Sequence, residues 1–259
     1  MTGRRGRDPA GGSALVTGVS RRIGIGWAVA QRLHADGWAL SLSGFPRHDE
    51  DQPWGSDGFV PELPGVSWDV ADLADPLMPN RLVERHIELH GRLDALVAVH
   101  ARSSEESLDT LTAAELDTSF AVNTRATLLL VQAAARVNVR RVVLFTTGVH
   151  QAPMPNEIPY AVSKAALEGI TTTLAAALAP TGATVNCIHP GPVDTGYAAD
   201  DTRASVAARM PLAARWGRPD ETAAAVAWLV SEEAGWITGQ TLDADGGWGI
   251  RSGVRPRSS

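Results

Sequence analysis

Short apolar runs alternate with longer stretches of helical period along almost the whole chain, and no other feature restricts the fold so much. ALVTG (14–18), WALSLSG (38–44), VSWDV (66–70), ALVAVHA (95–101), RVVLFTT (141–147), ATVNCIHPG (183–191) and QTLDADGG (240–247) read as strands. Between them GWAVAQRLHADG (26–37), RLVERHIELHG (81–91), residues 112–135 and 161–178, and the stretch after Pro219 read as helices. Thr112 and Glu115 form a candidate capping box. Strand–helix alternation with largely apolar strands implies a parallel sheet covered on both faces, an α/β doubly wound domain. The stretch 45–65 holds too many Pro and Gly for a full helix.

At 259 residues the chain is long enough for one large domain, and no Pro/Gly/Ser linker divides it. The net charge of −6 argues against nucleic acid as a partner, because phosphate binding needs a basic surface. The basic start MTGRRGR reads as a solvated tail (1–12), without the apolar core of a secretory signal, and 251–259 reads as a second tail. No apolar run approaches the ~20 residues of a membrane span. The lone Cys187 forms no internal disulfide, which points to the reducing cytoplasm, and its apolar setting makes it a buried, inert thiol.

The first strand runs into TGVSRRIGIG (17–26), with Gly18, Gly24 and Gly26 between a strand and a helix. In that context glycines let the backbone approach a pyrophosphate, and the helix N-terminus offers positive potential. An acid at the end of the second strand would bind the ribose diol of NAD. The position holds Gly44, followed by Phe45, while Arg21, Arg22 and Arg47 are at hand for a 2′-phosphate. NADP(H) is therefore the expected cofactor, with NAD(H) left open.

PYAVSKAAL (159–167) contains the chain's one lysine, Lys164, in a background of arginine. Tyr160 stands four residues earlier, so both share a helix face. An ammonium beside a phenol is expected to lower its pKa and fit it for proton transfer to or from a carbonyl or hydroxyl oxygen. Thr147, at a strand end, can polarise the same oxygen, while Thr146 should point to the opposite face. Asn123, in FAVNTRA, either holds a water bridging to the lysine or is a capped or solvent-facing amide. His100 reads as a packed core histidine or, alternatively, a proton shuttle.

TG…GIG, WDVADL, FAVN, YAVSK, NCIHPGPVDT, GRPDETA and ITGQTLDADGGW, in this order over residues 13–250, resemble the short-chain dehydrogenase/reductase family, nearest its 3-oxoacyl-acyl-carrier-protein reductases. The resemblance implies a single Rossmann-type domain with a mostly parallel seven-stranded sheet, and a homotetramer or homodimer. It implies Asn123, Thr147, Tyr160 and Lys164 as the catalytic set. It also implies cofactor contacts from Gly18, Ser20, Arg21, Arg22, Gly24, Ile25, Asp69, Val70, Ala98, Tyr160, Lys164, Pro190, Gly191, Val193 and Thr195, with no metal. The implied reaction is hydride transfer between nicotinamide and a small-molecule ketone or secondary alcohol, with a 3-oxoacyl thioester as one candidate. NAD-dependent oxidation of a sugar, polyol or secondary alcohol, and a non-catalytic dinucleotide sensor, remain as alternatives. Three departures stand out. The glycine loop is two residues longer than the family's, AVHA (98–101) stands for NNAG, and Thr147 stands for serine. A lid is expected over residues 196–218.

Overall fold

The computed structural model describes residues 11–149, 151–198 and 200–250. Residues 1–10 and 251–259, most of the two expected tails, lie outside them. Gly11 and Gly12, expected in the first tail, lie just before the first strand and bond to the chain around the start of the second: Gly11 N–H donates to the Gly37 carbonyl and Ala39 N–H to the Gly12 carbonyl.

Seven strands form one sheet: β1 (Ser13–Thr17), β2 (Ala39–Gly44), β3 (Ser67–Val70), β4 (Ala95–Ala98), β5 (Arg141–Phe145), β6 (Thr184–His189) and β7 (Thr241–Asp243). Their order is β3-β2-β1-β4-β5-β6-β7, and every pairing is parallel. The period of two sorts their side chains. Ala14, Val16, Val97, Val143 and Ile188 enter one core, with Val29 and Leu33 of α1 (Ile25–Ala35) and Val226 of α8 (Pro219–Val230). Leu15, Leu96, Leu144 and Cys187 enter the other, with Leu82 of α3 (Met78–His90), Leu130 of α5 (Ala126–Arg136) and Ala175 of α6 (Ile158–Leu178). Burial pushes the Cys187 thiol up to about 12, so the thiol is inert as expected.

The helix expected over 112–135 is not continuous. α4 (Ala113–Ser119) passes into a π-helical turn (Phe120–Arg125) before α5. Half of the capping box forms: Thr112 Oγ1 accepts from Glu115 N–H at 3.1 Å. The Glu115 carboxylate turns to Arg102, at 2.8 Å, rather than back to Thr112. The stretch after β2 holds only a short helix, α2 (Pro46–Glu50), and α7 (Asp200–Arg209) occupies the segment expected to form a lid. No described helix is long and apolar enough to cross a membrane.

Successive crossovers leave β1 in opposite directions, to β2 and, through β3, to β4. In open parallel sheets such a switch point leaves a crevice at the strands' carboxyl ends, where ligands bind.

Candidate active site

The crevice is a continuous cleft with two ends. The first end is lined by Gly18, Ser20, Arg21, Gly24, Ile25 and Gly44, by Ala71–Ala74, and by Val99, His100 and Ala101. The helix α1 begins here, and no side chain caps it, so its N-terminal dipole faces the cleft unanswered. Gly18 has φ 78°, and a Cβ there would lie 2.5 Å from the His100 nitrogen. Only glycine lets β1 and the segment after β4 meet this closely. These features fit a dinucleotide's pyrophosphate.

The two extra loop residues have a definite place. Val19 N–H donates to the Ser43 carbonyl at 2.8 Å. Its own carbonyl accepts from Trp68 Nε1–H at 2.9 Å, and Ser20 Oγ accepts from Phe45 N–H at 2.9 Å. The loop is thereby stitched along the end of β2. A Cβ on Gly44 would overlap the Val19 carbonyl oxygen. Position 44 lacks an acid because the loop occupies the space its side chain would need.

Several expected cofactor residues lie elsewhere. Asp69 gives its carboxylate to Arg85 Nε at 2.7 Å, and Val70 is exposed outside the cleft. The cleft wall is formed three residues later in the same motif, by Asp72 and Leu73. Ala98 is buried in the sheet core, because β4's period of two turns it away from the cleft. Arg22 lies over the Phe59 ring, 4.9 Å from its centroid, and lines neither end. Arg21 does line the cleft, with Nη1 donating to the Gly55 carbonyl at 2.8 Å and standing 3.6 Å from Asp49.

The second end is lined by Thr147, Met154, Glu157, Tyr160 and Lys164, by Pro190, Gly191, Val193 and Thr195, and by Trp54, Tyr197, Trp216 and Trp248. Helix α6 presents Tyr160 and Lys164 on one face, as their spacing requires. Lys164 is 2% exposed, and its Nζ donates to the carbonyls of His100 (3.1 Å) and Phe145 (3.3 Å), at the ends of neighbouring strands. Burial lowers its pKa to about 8. Burial first, then Tyr197 and Glu157, push the Tyr160 phenol up; a hydrogen bond from Thr147 offsets part of this. The lowering expected from the lysine is therefore not the outcome. The ammonium is held by two carbonyls, desolvation dominates, and the phenol keeps its proton at neutral pH.

Thr146 turns away from Thr147, as expected, and its hydroxyl donates to the Lys164 carbonyl at 3.1 Å. The Asn123 amide is taken up by protein partners. Its Oδ1 accepts from Arg102 N–H (2.6 Å), while Nδ2 donates to the Arg102 carbonyl (3.0 Å) and to Ser163 Oγ (2.9 Å). It fastens the segment after β4 to α6. His100 is the packed histidine: Nε2–H donates to the Val122 carbonyl at 3.1 Å, which leaves Nδ1 to accept from Thr17 Oγ1 at 2.6 Å. Burial and the nearby Lys164 lower its pKa to about 3, so it stays neutral.

Sequence reasoning missed Trp54, Glu157 and Tyr197. Trp54 comes from the irregular stretch after β2 and reaches Tyr197 across the cleft, with ring centroids 6.1 Å apart. Tyr197 was findable as the chain's other tyrosine, just past NCIHPGPVDT. Glu157 and Trp54 carry no sequence signal of their own.

A family profile described as enoyl-(acyl carrier protein) reductase matches residues 18–249. An uncharacterized oxidoreductase of Bacillus subtilis, YjdA, is 33% identical over 245 residues, spanning 91% of this chain and 96% of that protein. A short-chain dehydrogenase/reductase from Serratia marcescens superposes with a TM-score of 0.80 at 30% identity, covering 93% of this chain and 99% of that one. A short chain dehydrogenase from Burkholderia cenocepacia, solved in complex with NADP, superposes with a TM-score of 0.79 at 35% identity, with the same coverage.

Proposed function

Starting from the fact that the chain belongs to the short-chain dehydrogenase/reductase family, whose members are oxidoreductases using a nicotinamide dinucleotide, we propose that it interconverts a ketone and a secondary alcohol with a preference for NADP(H). The observation that carries this reading is one wall. Thr147, Tyr160 and Lys164 line the same cleft that runs on to the glycine loop.

A nicotinamide dinucleotide bound along the cleft supplies the hydride donor or acceptor. Tyr160, protonated because its surroundings disfavour the phenolate, gives its proton to the carbonyl oxygen as negative charge develops there. Thr147 donates a hydrogen bond to the same oxygen and orients the carbonyl carbon. Lys164, one turn along the same face of α6, lines this end of the cleft with Nζ held by the His100 and Phe145 carbonyls, where it would donate to the ribose of a bound cofactor. Gly18, Ser20, Arg21, Gly24 and Ile25, which line the first end, would hold the pyrophosphate, and Asp72 and Leu73 would border the adenine. Pro190, Gly191, Val193 and Thr195, which line the second end, would border the nicotinamide.

NADP(H) is favoured because position 44 has no acid and no room for one, and because a relative was solved with NADP. One observation favours NAD(H) instead: the carboxylates of Asp49 and Asp51 also line the first end. Titration of both reduced cofactors by fluorescence separates them, and equal or tighter NADH binding overturns the preference. Tyr160→Phe should bind cofactor normally and lose turnover on the order of 10²-fold or more, the scale of positioned proton transfer. Near-normal turnover in that variant would remove Tyr160 from the mechanism.

A further inference from the structure

The second end of the cleft holds a carboxylate that proton transfer does not use. Glu157 precedes α6 and stands one turn before Tyr160. Its backbone carbonyl accepts from Ala161 N–H at 2.8 Å. Its carboxylate has no hydrogen-bond or ion-pair partner among the described residues. The other charges in this part of the cleft are engaged. Arg21 has Asp49 and the Gly55 carbonyl, and Lys164 donates to two carbonyls.

The same end of the cleft carries an aromatic wall. Tyr197 is edge-on to Trp54, with centroids 6.1 Å apart and planes at 66°, and to Trp216, at 6.0 Å and 73°. The three rings come from the stretch after β2, the loop after β6 and the segment before α8, so they are assembled only by the fold. Glu157 acts on both phenols of the cleft, raising Tyr160 and Tyr197 alike, which puts its charge within reach of each. Burial and Glu105 push the Glu157 carboxyl itself up.

An unpaired carboxylate facing aromatic rings is the recognition chemistry of an organic cation. The rings present their negative faces to it, and the acid supplies the counter-charge in a partly desolvated cleft. A substrate bearing a carboxylate or phosphate would instead meet an unpaired acid. We propose that Glu157 and the Trp54–Tyr197–Trp216 wall select ketone or alcohol substrates that carry a protonated amine. The proposal rests on the reading of this end of the cleft as the substrate site. It names Glu157 as the residue that sets specificity there.

The test compares 4-(dimethylamino)cyclohexanone with its uncharged isostere 4-isopropylcyclohexanone, using the NADPH-loaded enzyme and its Glu157→Gln variant. The wild type should favour the amine in kcat/KM by about tenfold or more, equivalent to about 1.4 kcal/mol, and the variant should lose most of that ratio. A turnover-independent measurement accompanies it. Benzyltrimethylammonium should quench the fluorescence of the cofactor-loaded enzyme and bind about tenfold more weakly to Glu157→Gln. Should neither ketone be reduced, the ketone reading falls, and the ammonium titration alone decides the role of Glu157. Equal treatment of amine and isostere by the wild type, or ammonium binding that ignores the Glu157→Gln change, overturns the proposal.

Discussion

Gly44→Ala tests whether the lengthened glycine loop has displaced an acid from the end of β2. The added Cβ would overlap the Val19 carbonyl oxygen and lie 2.8 Å from the Val19 carbonyl carbon and 3.0 Å from Ser20 Oγ. Backbone cannot swing aside as a flexible side chain can, so the loop must lift. Lifting it breaks the bonds from Val19 N–H to Ser43, from Trp68 Nε1–H to Val19, and from Phe45 N–H to Ser20. Three hydrogen bonds at about 1 kcal/mol each come to roughly 3 kcal/mol. With an unfolding entropy of about 2.1 cal/mol/K per residue, a chain of 259 residues gives about 0.5 kcal/mol per degree. The melting temperature should therefore fall by about 6 °C. Circular dichroism melts measure this, and NADPH titration should show weakened binding, because the lifted loop is the proposed phosphate seat. The same overlap applies to Gly44→Asp, which should fail to gain NADH affinity. A Gly44→Ala protein that melts within a degree of the parent and binds NADPH as well would refute the reasoning. So would a Gly44→Asp protein that binds NADH more tightly.

Lys164→Arg should fold and yet lose on the order of 10²-fold in kcat at saturating cofactor. The guanidinium's planar fork cannot serve two strand-end carbonyls from the same buried point, and small displacements near reacting atoms cost that much; activity within a few-fold of the parent would show the lysine to be incidental. Acid should destabilise the protein through His86 and His100. Burial lowers them to about 4 and about 3, so below pH 6.5 the unfolded chain binds more protons than the folded one. At pH 5 each should have cost roughly 2 kcal/mol relative to pH 7.5, and urea unfolding at the two pH values that shows no loss would contradict their buried, neutral state.

Much of this was legible before the fold was known, and the reasons are local. Strands β1, β4, β5 and β6 announce themselves because burial on both faces demands largely apolar runs. Tyr160, Lys164 and Thr147 were readable because helix and strand periods fix which side chains share a face. What the sequence hid depends on distance in the chain. The resemblance assigned Asp69 and Val70 of WDVADL to the cofactor, but β3 runs on to Val70 and the cleft is lined by Asp72 and Leu73 instead. Asn123 could be a water holder or a capped amide by its neighbours alone. The π-helical turn and the backbone of Arg102, 21 residues away, decide that it is a fastener. The pKa of Tyr160 was misjudged because spacing reports the lysine's proximity and says nothing of desolvation.

The burial of the chain's lone lysine makes the protein its own unfolding reporter. A protease specific for lysine has one bond to cut, after Lys164, yielding fragments 1–164 and 165–259. That bond lies within the hydrogen-bonded ladder of α6, and its side chain is 2% exposed with Nζ engaged by two carbonyls. The native chain should resist such a protease, and the rate at which two bands replace one on a gel should measure how often α6 opens. Because Lys164 lines the second end of the cleft, ligands that occupy that end should slow that clock in proportion to how tightly they hold the helix closed.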